Sequence, residues 1–112
     1  MPFTTATVAS VKQGGEQFRG VFSEIWQATL TVDPASIAAG AEDTGTFTIP
    51  GLALGDMVIG VGPGVNPTVD AEVLAYVSAA NTLTIRISNL NAASALDLSS
   101  STWKVVIGRP AF

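Results

Sequence analysis

Turn-forming residues punctuate this chain about every ten positions, and that spacing constrains its fold more than any other feature. Asp33-Pro34, Pro50-Gly51, Gly55-Asp56, the run Gly60 to Gly64, and Ser78 to Asn81 all interrupt apolar segments. Gly, Pro, Asn and Asp favour turns because they supply left-handed or preset backbone angles and short side-chain hydrogen bonds. The segments between them are short and alternate apolar with polar. No connector is long enough to supply the repeated crossover helices that a parallel sheet requires. An all-β, antiparallel chain is expected.

The alternation is clearest from Trp26 onward. Trp26, Ala28, Leu30 and Val32 alternate with Gln27, Thr29 and Thr31, the signature of a half-buried strand. Thr46 and Thr48 alternate with Phe47 and Ile49. Met57-Val58-Ile59 is apolar on both faces, which predicts a strand that is central or covered on both sides. In Ala71 to Ser78, Val73, Ala75 and Val77 fall on one face, and Leu74 and Tyr76 fall on the other with Glu72 and Ser78. Leu83, Ile85 and Ile87 alternate with Thr82, Thr84, Arg86 and Ser88, a one-sided strand closed by Asn89. Asn91 to Ser101 is a small-residue loop. Trp103, Val105 and Ile107 then form the closing strand, and Arg109-Pro110 finishes it. The stretch Ile49 to Asn91 reads as a three-stranded antiparallel meander. The expected fold is an antiparallel β-sandwich or jelly-roll-like barrel of about six to eight strands, with an N-terminal arm.

Residues 1–25 are less regular. Phe3 to Val11 is rich in β-branched residues and reads as a strand or an extended arm, broken by Gly14-Gly15. Phe18, Val21, Phe22 and Ile25 have the spacing of a short helix, although Gly20 inside it costs about 1 kcal/mol relative to Ala. Residues 1–25 are therefore an arm that docks on a neighbouring subunit, or a first strand with an irregular connection. Residues 26–112 form the sandwich domain.

Composition narrows the function. Of 112 residues, 47% are apolar and only 12% charged, so one domain of this size would expose apolar patches, which usually mark interfaces. Gly, Pro, Thr and Asp interrupt every segment well before the roughly 20 apolar residues of a membrane helix. The five Lys and Arg are scattered and the net charge is −4, so the basic footprint of a nucleic-acid binder is missing. The chain has no Cys and no His, which removes disulfides, thiol chemistry and the commonest general base and metal ligand. Its N-terminus lacks the basic start and apolar core of a signal peptide.

The remaining chemical candidates are weak. Glu42-Asp43 and Asp70 with Glu72 are acidic pairs, and the latter two share a face at a strand start, where a proton or cation between them is the functional alternative to plain solvation. Gly60 to Gly64 has the glycine count of a phosphate loop without its Lys-Ser/Thr ending. Trp26, Trp103 and Tyr76 would suit a sugar-binding platform, but both Trp are in phase with core aliphatics. Arg86 is the only charge inside a regular strand. No catalytic residue, cofactor or metal site is expected.

The segments GDMVIGV, VSAANTL and TWKVVIG, within Thr29 to Gly108, resemble a set of small virion proteins of tailed phages. The matching residues are Pro50, Gly51, Gly55, Asp56, Val58, Val77, Ser78, Ala79, Ala80, Asn81, Thr82, Leu83, Arg86, Asn89 and Trp103. The resemblance implies a structural, non-enzymatic capsid decoration (cement) or head-spike protein, usually a homotrimer. Such a protein binds the outer surface of the head, has the major capsid protein as its partner, and resides on the virion after assembly in the host cytoplasm. Trp26, Leu74, Tyr76 and Arg86 are then expected at the subunit interface, and Phe3, Phe18 and Phe22 of the N-terminal segment, or the small-residue loops at 62–69 and 91–101, at the capsid contact. A receptor- or carbohydrate-binding tip of a head or tail fibre is the alternative. No nucleic acid or membrane is expected as a partner.

Overall fold

The computed structural model describes residues 4–14, 20–67 and 70–112, and all their regular elements are β-strands. They are β1 (Thr4–Gly14), β2 (Phe22–Asp33), β3 (Glu42–Thr48), β4 (Met57–Gly62), β5 (Ala71–Ala79), β6 (Thr82–Asn89) and β7 (Ser101–Pro110). A four-stranded sheet in the order β1-β2-β7-β4 packs on a three-stranded sheet in the order β3-β6-β5, and every pairing is antiparallel. The fold is a β-sandwich, as the turn spacing predicts.

Period-two alternation decides which side chains meet between the sheets. Trp26, Ala28, Leu30 and Val32 of β2 and Trp103, Val105 and Ile107 of β7 face Phe47 of β3, Leu83, Ile85 and Ile87 of β6, and Val77 of β5. Burial of each large side chain contributes about 1.5–3 kcal/mol, and these strands are long enough to supply a dozen. The loops also close the core, with Ile37, Ile49, Leu52, Leu96 and Leu98 all buried.

Two buried or turn-forming Asn residues tie the loops to the sheets. Asn81 takes the left-handed conformation (φ 60°) between β5 and β6, which Asn tolerates better than most residues. Its N–H donates to Leu52 O at 2.8 Å, its O accepts from Ile49 N at 2.9 Å, and its Oδ1 accepts from Gly51 N at 2.8 Å. The hairpin is thereby stitched to the Pro50-Gly51 turn. Asn89 is 1% exposed and fully partnered. Its Nδ2 donates to Ile37 O (3.0 Å) and Ser94 O (2.8 Å), and its Oδ1 accepts from Asn91 N (3.0 Å). This one amide holds the loop after β6 against the connector before β3. Asn89→Ala strands Ser94 O and the Asn91 N–H and leaves Ile37 O with the Leu96 N–H alone; it is expected to cost about 2 kcal/mol, read as a lowered urea midpoint with an unchanged m-value.

The strand positions differ from the sequence reading in three places. Ile49 to Asn91 is not a meander, because β4 pairs with β7 in the four-stranded sheet while β5 and β6 form a hairpin in the other. The glycine-rich run after β4 carries the chain between sheets. Nor is β4 central: it lies at a sheet edge with Met57 and Ile59 each 50% exposed. Apolar residues on both its faces therefore signal an uncovered surface. The short helix expected from the spacing of Phe18, Val21, Phe22 and Ile25 is absent from Phe22 onward, where β2 pairs with both β1 and β7. Tertiary pairing overrides the helical spacing there; residues 15–19 lie outside the described residues. β1 is paired with β2 from Thr4 to Gly14, so this part of the N-terminus is a first strand, and a boundary at residues 25 and 26 falls inside β2.

Candidate interaction surfaces

Each sheet presents one face to the core and the other outward, and the outward faces differ in chemistry. On the three-stranded sheet, cross-strand partners form rows: Glu42, Ser88 and Glu72; Thr44, Arg86 and Leu74; Thr46, Thr84 and Tyr76. Arg86 Nη2 donates to Tyr76 Oη at 3.2 Å, its guanidinium lies 5.8 Å from the ring centroid, and Glu42 is 3.9 Å away. Thr84 is buried, and its hydroxyl lies 2.6 Å from that of Ser78. Leu74 alone stands out as a large exposed apolar side chain on this polar, threonine-rich surface.

The four-stranded sheet shows the reverse. Its outward rows are Ile25, Gly108 and Met57; Val11, Gln27, Val106 and Gly60; and Ala9, Thr29, Lys104 and Gly62. Bulges displace Val8 and Ile59 from the regular pairing, and both are exposed. Gly108 permits close cover: a Cβ there would lie 2.5 Å from Phe22 Cδ1 and 3.0 Å from Ile59 Cδ1. Phe22 and Ile59 therefore close over the glycine and form a smooth apolar plate. A shallow groove of about 240 Å³ runs beside it, between Val11, Gln27, Lys104 and Val106. Lys104, which donates to Thr29 Oγ1 at 3.2 Å, is the only formal charge in these rows, and Asp33 at the end of β2 is in phase with the same face.

A charged cluster closes the end of the sandwich near the plate. Arg109, at the end of β7, donates from Nε and Nη2 to the two carboxylate oxygens of Asp56 at 2.9 Å each. Its Nη1 donates to Glu24 Oε2 and its Nη2 to Gly51 O, both at 2.8 Å. Lys12 pairs with the other Glu24 oxygen at 2.8 Å. Both cations lie over the indole of Trp26, at 5.0 Å for Arg109 and 5.6 Å for Lys12. Planar Arg suits this role because its fork matches a carboxylate while its face stacks on a ring. Burial alone would raise the Asp56 pKa. The hydrogen bonds from Arg109 and from Ala53 N–H, with the Arg109 charge, outweigh it and hold the carboxyl below its ordinary value. The same pairing pushes Arg109 up. This network fastens β1, β2, β7 and the 50–56 turn together; the sequence reading missed it because its members are dispersed along the chain.

Of the expected interface residues, Leu74, Tyr76 and Arg86 do share the outer face of the three-stranded sheet. Trp26 does not join them. It is 1% exposed inside the sandwich, its Nε1 donating to Pro50 O at 3.2 Å, so it cannot reach a neighbouring subunit. Trp103 is buried likewise, with its indole N–H on Ser101 Oγ. The aromatic platform of Trp26, Trp103 and Tyr76 is therefore not formed. Of the expected capsid contacts, Phe22 is half-buried over Gly108, while Phe3 and Phe18 lie outside the described residues. Asp70 and Glu72 are exposed. Among the described residues, no group of three or more Asp or Glu side chains could hold a metal ion, and no helix is long and apolar enough to cross a membrane.

No protein-family model matches this chain, and no curated protein or solved structure matches it either.

Proposed function

We propose that this chain is a structural virion protein: a capsid decoration subunit that binds the outer surface of a phage head as a homotrimer and stabilises the shell. The reading combines the resemblance carried by Gly55-Asp56, the turn Ser78 to Asn81, Asn89 and Trp103 with the surface chemistry of the sandwich. The observation that carries it is the uncovered apolar plate of Met57, Ile59 and Val106, on a domain whose core is already filled. A cement protein needs no turnover, only surface to bury, both between its own copies and against capsid subunits. Burying about 1,000 Å² of apolar surface supplies about 25 kcal/mol of gross hydrophobic free energy. Ordering and association costs remove most of it, and the remainder, repeated over many copies, opposes internal pressure on the shell. The major capsid protein is the expected partner and the capsid surface the expected location. A glycan- or receptor-binding tip has less support, because both Trp side chains are in the core.

Co-sedimentation tests this reading. Purified chain mixed with phage heads stripped of it should pellet with the heads and raise their resistance to heat. A chain that stays in the supernatant as a stable monomer, while binding glycans on an array, contradicts it.

A further inference from the structure

We infer that the outer face of the four-stranded sheet is where copies of this chain contact each other, and that the face bearing Leu74, Tyr76 and Arg86 is left free of self-contact. The inference deepens the proposed function by assigning the self-contact of the homo-oligomer to one face. Area decides between the faces. Strands lie about 4.8 Å apart and rise about 3.3 Å per residue. β1, β2, β7 and β4 have 11, 12, 10 and 6 residues, so together they present on the order of 600 Å². Covered on both partners, that makes roughly 1,200 Å², the lower bound of a stable specific interface. Three strands of seven to nine residues present on the order of 400 Å². Doubled, that is roughly 800 Å², the scale of an incidental contact.

Chemistry points the same way. The interiors of stable interfaces are depleted of charge. Phe22, Met57, Ile59, Val106 and Val11 on the wider face surround Lys104, with Asp33 only at its far end, whereas the narrower face carries Glu42, Glu72 and Arg86 in two adjacent rows. A face this near the lower size limit must be covered almost whole. Copies of the chain turned toward a three-fold axis supply surface of the same apolar character, two neighbours between them covering the face and its margin. Among the described acidic residues of the four strands, only Asp33, at the far end of β2, is in phase with this face, so copies meeting around Ile59 and Val106 bring no carboxylates together there. The two outer faces point in opposite directions. A contact from one onto the other would stack copies into an open filament, whereas a closed assembly must draw its contact from one face and its margin.

Sedimentation velocity over a range of concentrations tests the assignment, using the wild-type chain, Ile59→Lys, Val106→Glu and, on the other face, Leu74→Lys. All three positions are exposed, and circular dichroism confirms that each variant keeps the β fold. The wild type and Leu74→Lys should assemble alike. Ile59→Lys and Val106→Glu should each raise the concentration of half-assembly by at least about tenfold, as loss of an interface hot spot does. A folded Ile59→Lys and a folded Val106→Glu that both assemble like the wild type overturn the inference, as does selective loss of assembly in Leu74→Lys or a wild-type chain that stays monomeric at every concentration. An assembly of two or four copies that Ile59→Lys disrupts supports the face assignment while contradicting the trimer.

Discussion

Replacing Trp26 with alanine is expected to remove about 4 kcal/mol of folding free energy. The indole is 1% exposed, so its removal leaves a cavity that the paired strands on either side cannot collapse into. Three further losses follow from its contacts. Pro50 O loses a donor at 3.2 Å, the Arg109 and Lys12 cations lose the ring beneath them, and the left-handed turn at Gly51 (φ 93°) loses the ring beside it, which lies 3.5 Å from where a Cβ would stand. A domain of this size holds about 5–15 kcal/mol in total, so the variant should still fold at room temperature. Its Tm should fall by roughly 15 °C, measured by differential scanning calorimetry. Trp26→Phe separates the causes: it keeps most of the packing, loses the indole N–H and should cost about half as much.

Arg109→Ala should cost about 2–3 kcal/mol. Asp56 keeps only the Ala53 N–H (2.8 Å) once the guanidinium is gone, and its side chain is 3% exposed, so a carboxylate is left desolvated. Breaking a buried pair on one side typically costs about 3–5 kcal/mol. The value here is lower because Arg109 is 32% exposed and water can enter in its place. Gly51 O and Glu24 lose donors as well. The pair also sets the acid limit. The folded-state pKa of Asp56 is depressed, so its contribution is fully present above the unfolded value near pH 4 and is lost as pH falls through the lower folded value. The wild type should therefore lose stability below about pH 4 more steeply than Asp56→Asn, and urea midpoints at a series of pH values measure the difference. Equal slopes would show that the pair contributes nothing to the acid limit.

The strands were legible in the sequence wherever one face is apolar. Residues such as Leu83, Ile85 and Ile87 carry period-two alternation that only a half-buried strand explains, and Asn81 and Pro50-Gly51 mark turns by local backbone preference. What alternation does not encode is which strands pair. Met57 to Gly62 and Ala71 to Ala79 are neighbours in the chain but belong to different sheets, and no local signal distinguishes a hairpin from a crossing between layers. The same ambiguity made β4 look central. Two apolar faces mean burial on both sides or exposure on one, and only the sheet order decides. The apolar plate shows the same limit. Phe22 and Ile59 sit far apart in sequence and meet only because Gly108 leaves room between them. Arg109, unremarkable as the last charge of the chain, gains its role from Glu24 and Asp56, which pairing brings together from 85 and 53 residues away. Trp26 was legible as a strand residue facing inward, and its alternation with Ala28 and Leu30 signals the core more strongly than any interface.

An electron-microscopic reconstruction of the virion with this chain labelled tests the account most directly. The label is expected on the outer surface of the head, in clusters of three knobs that meet through their four-stranded sheets. Label confined to a tail fibre, or absent from the particle, would contradict it.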